Sequence, residues 1–107
     1  MKFMMYSETI SQPMAQGVNR RVLVHNEDLM MVEVSFEKGA VATLHSHPHQ
    51  QMSYILSGCF EFENDGKKRS LGQGDSVLLA SGVKHGVLCT EKGKVLDVFN
   101  PERKDFL

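Results

Sequence analysis

The sequence contains a small set of side chains that could bind one metal ion. They are two histidines separated by one residue, a glutamine shortly after them and a lone histidine much later. His45 and His47 lie in "HSHPHQQ", Gln51 closes that stretch, and His85 follows "SVLLASGVK". Side chains two residues apart in a strand share a face, so His45 and His47 can offer two imidazoles to one ion. If the strand that starts near Gln51 pairs back antiparallel, Gln51 returns beside them, and His85 can complete a metal site.

Three imidazoles and one amide oxygen suit a divalent transition metal, namely Zn²⁺, Ni²⁺, Co²⁺ or Mn²⁺, with positions left open for water or substrate. An amide cancels none of the charge of the ion, which stays a stronger Lewis acid than it would beside a carboxylate. His49 is predicted to lie at the rim, because Pro48 breaks the strand alternation, and Gln50 is predicted to face away from Gln51. The alternative is a metal-free barrel whose histidines fill a polar cavity.

A carboxylate in the last apolar run is the second chemical oddity. In "KVLDVFN", Asp97 shares a strand face with Val95 and Phe99. Aspartate is depleted in strands, and desolvating it is costly unless it gains a partner. Asp97 is therefore a candidate cavity residue, and the alternative is an outward aspartate on an edge strand.

Short runs of β-branched and aromatic residues, separated by turn residues, predict the β-strands that must position these side chains. Asn64, Asp65 and Gly66 give the strongest hairpin signal. Eight or nine short strands at such spacing predict an all-β sandwich or small closed barrel. The predicted strands are 20–25, 29–36, 40–47, 51–57, 59–64, 68–72, 76–80, 85–91 and 94–100.

The length and charge of the chain limit the number of domains and the kinds of partner that can be expected. The 107 residues predict one domain, 1–107, with the barrel core at about 29–100. Lys and Arg number 12 against 13 Asp and Glu, which argues against nucleic acid as a partner. No segment has the character of a signal peptide or the length of a membrane span, so an unexported, cytoplasmic protein without a membrane partner is expected.

The cysteines, the methionines and the N-terminal segment allow predictions about the core and about oligomerisation. Cys59 and Cys89 lie in apolar runs and are predicted to be small buried hydrophobes without a disulfide. The seven methionines have no repeated spacing and are predicted to fill the core. A homodimer is expected, with the apolar segment "MKFMMY" suited to pairing through edge strands.

Two motifs resemble those of the cupin superfamily. The spacing Gly39-x5-His45-x-His47-x3-Gln51-x6-Gly58 is similar to the first cupin motif, which normally has Glu at the fourth position named. The spacing Gly74-x5-Ala80-x-Gly82-x2-His85-x3-Cys89 is similar to the second, with Ala and Cys in place of the usual Pro and Asn. The resemblance implies a small double-stranded β-helix, or jelly-roll barrel, that holds the metal inside through His45, His47, Gln51 and His85.

From about Val18 to Leu107 the chain resembles the pectin degradation cupins of the KdgF type, which linearise unsaturated uronates. In that family glutamine is the expected fourth ligand, and the pocket Asp, Phe and Arg fall at Asp97, Phe99 and Arg103. The resemblance implies a metal-dependent ring opening of 4,5-unsaturated monouronates to linear 4-deoxy-5-keto uronates. Asp97 would be general base and acid, Arg103 would pair with the substrate carboxylate, and Phe99 would shape the wall.

Two other functions stay open for a cupin of this size. A sugar-binding or small-acid-binding module would keep the cavity but turn nothing over. A metal-dependent dioxygenase would need iron and consume oxygen, and the glutamine ligand disfavours it because such enzymes usually pair two histidines with a carboxylate.

Overall fold

Eight β-strands make up most of the chain, and the computed structural model describes residues 1–107. The predicted all-β class is confirmed. The two helices are three-residue 3-10 turns, Tyr6–Glu8 and Lys104–Phe106, and neither could span a membrane. The strands are β1 Gln12–Ala15, β2 Val18–His25, β3 Met30–Phe36, β4 Val41–His45, β5 Gln50–Asn64, β6 Lys67–Gly72, β7 Ser76–Leu79 and β8 His85–Asn100.

The two longest strands, β5 and β8, were each predicted as two short strands. The predicted breaks fall at Gly58 and Gly93, where the chain bends and the ladder between β5 and β8 shifts register without ending. A Cβ on Gly93 would lie 2.0 Å from the carbonyl oxygen of Ser57, and one on Gly58 would lie 2.5 Å from that of Glu91. Only glycine lets the two backbones approach so closely, so these glycines mark bends and not strand ends.

The predicted hairpin at Asn64, Asp65 and Gly66 joins β5 to β6. Asp65 and Gly66 have φ values of 51° and 75°, the left-handed pair that a tight hairpin turn requires. Strand β1 was not predicted, since it is only four residues long and contains Pro13.

The strands run in the order β1-β2-β3-β8-β5-β6, with β4 paired to β8 and β7 paired to β5. Strand β8 therefore meets β4 through its first residues and β3 through its last ones, and this wraps the sheet around one core. Phe36 and Phe60 pack edge to face in that core at 5.1 Å between ring centroids.

Sulfur-containing side chains depart from the prediction. Both cysteines are free, as expected, but only Cys89 is fully buried. Met30 is the one buried methionine, and the prediction that the methionines fill the core is wrong for the other six, which are exposed. Met31 and Met52 lie on the outer face of the sheet, because strand alternation turns them away from their buried neighbours.

Candidate metal centre and adjoining cavity

Three histidines converge at one end of the barrel. His45 is the last residue of β4 and His85 the first of β8, and the two are register partners. His47 lies in the loop that follows β4, two residues beyond the end of the strand, so the prediction that the strand runs through residue 47 is wrong. The potential ligand atoms of the three side chains all lie within 4.8 Å of one another. The three could hold a divalent metal ion.

Each of these rings is oriented by a hydrogen bond from its Nδ1 to a backbone carbonyl. Nδ1 of His45, His47 and His85 lies 2.8 Å from Thr43 O, 3.0 Å from His49 O and 3.1 Å from Val83 O, respectively. A carbonyl can only accept, so each Nδ1 carries the proton and each Nε2 of a neutral ring has a free lone pair. Metal-binding histidines are usually held in this way.

Burial keeps two of these imidazoles neutral. It lowers the pKa of His47 and lowers the pKa of His85 to about 4. Removing an imidazolium from water disfavours its charged form, and the neighbouring histidines and Arg103 lower both pKa values further. Both rings are therefore unprotonated at Nε2 near neutral pH, as a metal ligand must be.

Gln51 reaches this cluster from a direction that the sequence prediction did not anticipate. The expectation that its strand pairs back on the histidine strand is wrong, because β4 pairs with β8 and Gln51 pairs with Leu79 and Phe99. The loop containing Pro48 carries the chain across the barrel instead of closing a hairpin. The side chain is buried nonetheless, and Oε1 lies 3.0 Å from His47 Nε2.

The contact between His47 and Gln51 bears on whether a cation fits here. Since Nδ1 of neutral His47 donates to His49 O, its Nε2 presents a lone pair to an amide oxygen that also presents lone pairs. Two acceptors at 3.0 Å repel each other unless a cation lies against both. The donor chemistry of His45, His47, His85 and Gln51 therefore fits a bound divalent metal.

A second set of hydrogen bonds ties Gln51 to the candidate proton-transfer group. Gln51 Nε2 donates to Ser53 Oγ at 2.9 Å, and Ser53 Oγ donates to Asp97 Oδ1 at 2.6 Å. Ser53 and Asp97 are register partners on β5 and β8. Burial raises the pKa of Asp97 to about 6, against the lowering effect of the Ser53 and Gln51 hydrogen bonds and the Arg103 charge.

Ser53 was not among the predicted site residues. The sequence did carry a signal for it, because a small polar residue two positions after Gln51 shares its strand face. Ser53 is only 1% exposed, so its hydroxyl must find partners inside the protein.

Arg103 follows β8 and lies beside two aromatic rings. Its guanidinium carbon is 5.1 Å from the ring centroid of Phe99 and 4.3 Å from that of Phe106. Asp105 accepts from Arg103 Nε at 3.0 Å and from Nη2 at 2.9 Å, and this pairing lowers the pKa of Asp105. The bidentate pair and the rings hold the guanidinium in one orientation.

All of these side chains except His47 and Asp105 line one cavity of about 520 Å³, counted with the open solvent at its mouth. His47 packs behind it, with its ring centroid 5.8 Å from that of Phe99. The rest of the wall is mainly apolar. The polar lining residues are His45, Gln51, Ser53, His85, Asp97 and Arg103.

His49 and Gln50 lie where the sequence placed them, outside the ligand cluster. His49 Nε2 donates to the carbonyl of Glu102 at 3.1 Å, and the carbonyl of His49 accepts from His47 Nδ1. Its ring thus points to a neighbouring segment, while its backbone carbonyl supports the candidate ligand His47. Gln50 is exposed, whereas Gln51 beside it is buried.

Comparisons with known proteins agree with this architecture. The cupin domain family matches residues 32–99 of the chain. The chain is 40% identical over 108 residues to the pectin degradation protein KdgF of Dickeya dadantii (strain 3937), and the alignment covers 99% of this chain and 98% of that protein.

Two solved structures have nearly the same backbone. KdgF from Halomonas sp. is 37% identical with a TM-score of 0.92, covering 99% of this chain and 98% of that one. An RmlC-like cupin from Shewanella frigidimarina NCIMB 400 is 36% identical with a TM-score of 0.93, covering 98% and 95%. These likenesses confirm the fold predicted from the two histidine motifs.

Proposed function

The chain belongs to the cupin family, and from this membership and its full-length similarity to KdgF we propose that it linearises 4,5-unsaturated monouronates in pectin or alginate breakdown. The product would be a linear 4-deoxy-5-keto uronate. The observation that carries the proposal is the hydrogen-bonded chain from Gln51 through Ser53 to Asp97. It joins a candidate metal ligand to a group that can carry a proton, in the cavity that Arg103 also lines.

His45, His47 and His85 would hold the metal ion through Nε2, and Gln51 through Oε1. A divalent ion such as Zn²⁺, Ni²⁺, Co²⁺ or Mn²⁺ would supply Lewis acidity there, undiminished by any negatively charged ligand.

Arg103 would bind the carboxylate of the substrate. Asp105 occupies Nε and part of Nη2, which leaves Nη1 without a hydrogen-bond partner in the protein. A guanidinium flanked by Phe99 and Phe106 is well suited to a planar carboxylate. The largely apolar remainder of the cavity wall suits the face of a sugar ring that has lost a hydroxyl to the C4=C5 double bond.

Asp97 would move the single proton that the isomerisation requires. In its ionised form the carboxylate takes the proton of the C1 hydroxyl while the bond between C1 and the ring oxygen breaks. The C1 carbon becomes an aldehyde, and the ring oxygen keeps the electron pair as an enolate on C5. Asp97 then returns the proton to C4, and C5 becomes a ketone. A carboxyl whose pKa is about 6 can accept and release a proton near neutral pH.

The direct test mixes the metal-loaded protein with unsaturated monouronates and follows loss of the ultraviolet absorbance of the conjugated double bond. Acceleration over the protein-free reaction, with one linear product, is the expected result. Tight binding of uronates without any acceleration would favour the sugar-binding module, and oxygen consumption with iron would favour the dioxygenase.

We also propose that the chain forms a homodimer, and the outer face of the sheet supports this. Met31, Val98, Met52 and Leu78 are successive cross-strand partners on β3, β8, β5 and β7. Met52 is 60% exposed and Leu78 is 58% exposed. A continuous apolar row across four strands would be covered by the same row of a second copy. The N-terminal segment extends this surface, since Lys2 lines one cleft with Met31 and Val98.

A further inference from the structure

The C-terminal segment, residues 101–107, closes one side of the cavity without belonging to the sheet. It contributes Arg103 and Phe106 to the cavity wall. Phe106 is 7% exposed, although it lies outside the sheet. A segment without strand pairing is held in place only by its contacts with other parts of the fold. What holds this segment therefore determines where Arg103 lies.

The start of the C-terminal segment is attached to the end of β2. His25 Nδ1 lies 2.8 Å from a carboxylate oxygen of Glu102, and the pair is largely shielded from solvent. The backbone N–H of Glu102 donates to the carbonyl of Glu27 at 3.2 Å. These contacts fix the backbone immediately before Arg103.

The end of the segment is attached to β2 through an aromatic ring. The guanidinium carbon of Arg20 lies 4.2 Å from the ring centroid of Phe106, and that of Arg103 lies 4.3 Å from the same centroid. Arg20 Nε is buried and has no hydrogen-bond partner in the protein. Arg20 and Arg103 are thus connected through their contacts with the same ring, that of Phe106. Arg20 itself does not line the cavity.

We propose that Arg20 and Phe106 are positioning residues that set the orientation of Arg103 for a carboxylate in the cavity. The Phe106 ring packs against the Arg103 guanidinium, and Arg20 holds Phe106 in place from β2. Strand β2 supplies no ligand and no proton-transfer group, yet it would determine how well the site binds an anion. The identity of that anion as a uronate rests on the proposed function; the orienting role does not.

A positioning role of this kind affects binding more than turnover. Asp97 lies in the middle of β8 and is hydrogen-bonded to Ser53 on β5, so neither group belongs to the C-terminal segment. Loosening Arg103 should therefore raise KM and leave kcat nearly unchanged. Contacts between a cation and an aromatic ring of this kind are worth enough for a rise of about three- to tenfold.

Strand β2 offers a matched control in the next residue. The guanidinium carbon of Arg21 lies 5.0 Å from the ring centroid of Tyr6, and its Nη1 donates to the carbonyl of Thr9 at 3.0 Å. Arg21 thus makes the same type of contact away from the cavity. Replacing it removes an equal charge and a comparable stack without touching Phe106.

The experiment compares Arg20→Gln, Phe106→Leu and Arg21→Gln in the metal-loaded protein. Steady-state kinetics with unsaturated monouronate gives KM and kcat. The Nε–H resonance of Arg103, assigned by its loss in Arg103→Lys, reports in a ¹⁵N spectrum whether the guanidinium stays fixed on Asp105. This second readout requires no activity, so it separates failure of the inference from failure of the proposed function. Thermal unfolding verifies that each variant is folded.

The expected result is a higher KM, an unchanged kcat and a broadened or shifted Arg103 resonance in Arg20→Gln and Phe106→Leu, with neither change in Arg21→Gln. If Arg20→Gln and Phe106→Leu leave the resonance and KM as in the wild type, the inference is overturned. It is equally overturned if Arg21→Gln raises KM to the same extent. If neither the wild type nor any variant turns over uronates, the Arg103 resonance alone tests the positioning role of Arg20 and Phe106.

Discussion

Ser53 faces Asp97 across the pairing of β5 with β8, and its hydroxyl donates to Asp97 Oδ1 at 2.6 Å. An ionised carboxylate only accepts hydrogen bonds, so the Ser53 hydroxyl must direct its proton toward Asp97. The Ser53 oxygen must then accept from the amide nitrogen of Gln51, 2.9 Å away. The amide oxygen of Gln51 is thereby turned toward His47. One carboxylate thus sets the orientation of a candidate metal ligand two hydrogen bonds away.

Ser53→Ala should weaken metal binding without removing any ligand. The Gln51 amide would lose the partner that fixes its orientation, and loss of such supporting hydrogen bonds typically costs about 10- to 100-fold in metal affinity. Competition with a chromophoric chelator measures the dissociation constant. Ser57→Ala, at an exposed position on the same strand, is the control. An unchanged affinity in Ser53→Ala would show that the amide needs no such support.

Gln51→Glu tests why the ligand is an amide. A carboxylate adds a formal charge to the ligand set, so the metal should bind about tenfold more tightly or better. The same charge reduces the Lewis acidity of the ion, and turnover should fall by about tenfold or more. Gln50→Glu adds an equal charge at the exposed neighbouring position and should change neither quantity. Tighter binding together with full turnover would contradict the proposed reason for the amide.

The cluster of candidate ligands could be predicted from sequence because the arrangement of its first two members is local. His45 and His47 are only two residues apart, so their side chains can converge through local backbone geometry, although His47 lies just beyond the strand. Asp97 could also be singled out from the local sequence. An aspartate between apolar strand residues is unusual because burying a carboxylate is costly, and this can be recognised before its partner is known.

Contacts between distant residues could not be predicted in this way. Ser53 and Asp97 are 44 positions apart, and their pairing depends on how β5 and β8 bend together. Gly58 and Gly93 looked like strand ends because glycine favours both breaks and bends, and only the opposing backbone distinguishes them. Phe106 gave no signal, since its proposed role depends on a ring contact with Arg20 on a strand far away in sequence.

Asp97→Asn should abolish most of the catalysis while leaving the metal in place. Asparagine is nearly isosteric and can still accept from Ser53, but it cannot take up the proton of the C1 hydroxyl. Loss of a general base usually lowers the rate by about 10²- to 10⁴-fold. The decay of the double-bond absorbance and metal analysis of the same sample measure both quantities. Asp65→Asn, in the exposed hairpin turn, is the control because asparagine also tolerates its positive φ. Retained turnover would remove Asp97 from the mechanism.

Met52→Glu should convert the proposed dimer to a monomer. A carboxylate in the middle of the apolar row would be desolvated without a partner if a second copy covered it. Light scattering coupled to size-exclusion chromatography gives the mass at several protein concentrations. Val41→Glu, at a comparably exposed position on β4, should leave the mass unchanged. A wild-type protein that is monomeric at all concentrations would refute the dimer.

The variants His47→Ala and His49→Ala test whether His47 binds the metal ion while the neighbouring His49 ring does not. His47→Ala removes one Nε2 from the cluster, so metal should be lost on desalting and the protein should unfold at a lower temperature in excess metal than the wild type does. His49→Ala should keep one metal ion per chain, because His49 supports His47 through its backbone carbonyl, which alanine retains. Its ring contacts the Glu102 carbonyl, and that loss should cost affinity by less than about tenfold. Elemental analysis after desalting and thermal unfolding with and without added metal measure both effects. Equal metal loss in the two variants would mean that the His49 ring, and not its carbonyl, belongs to the metal site.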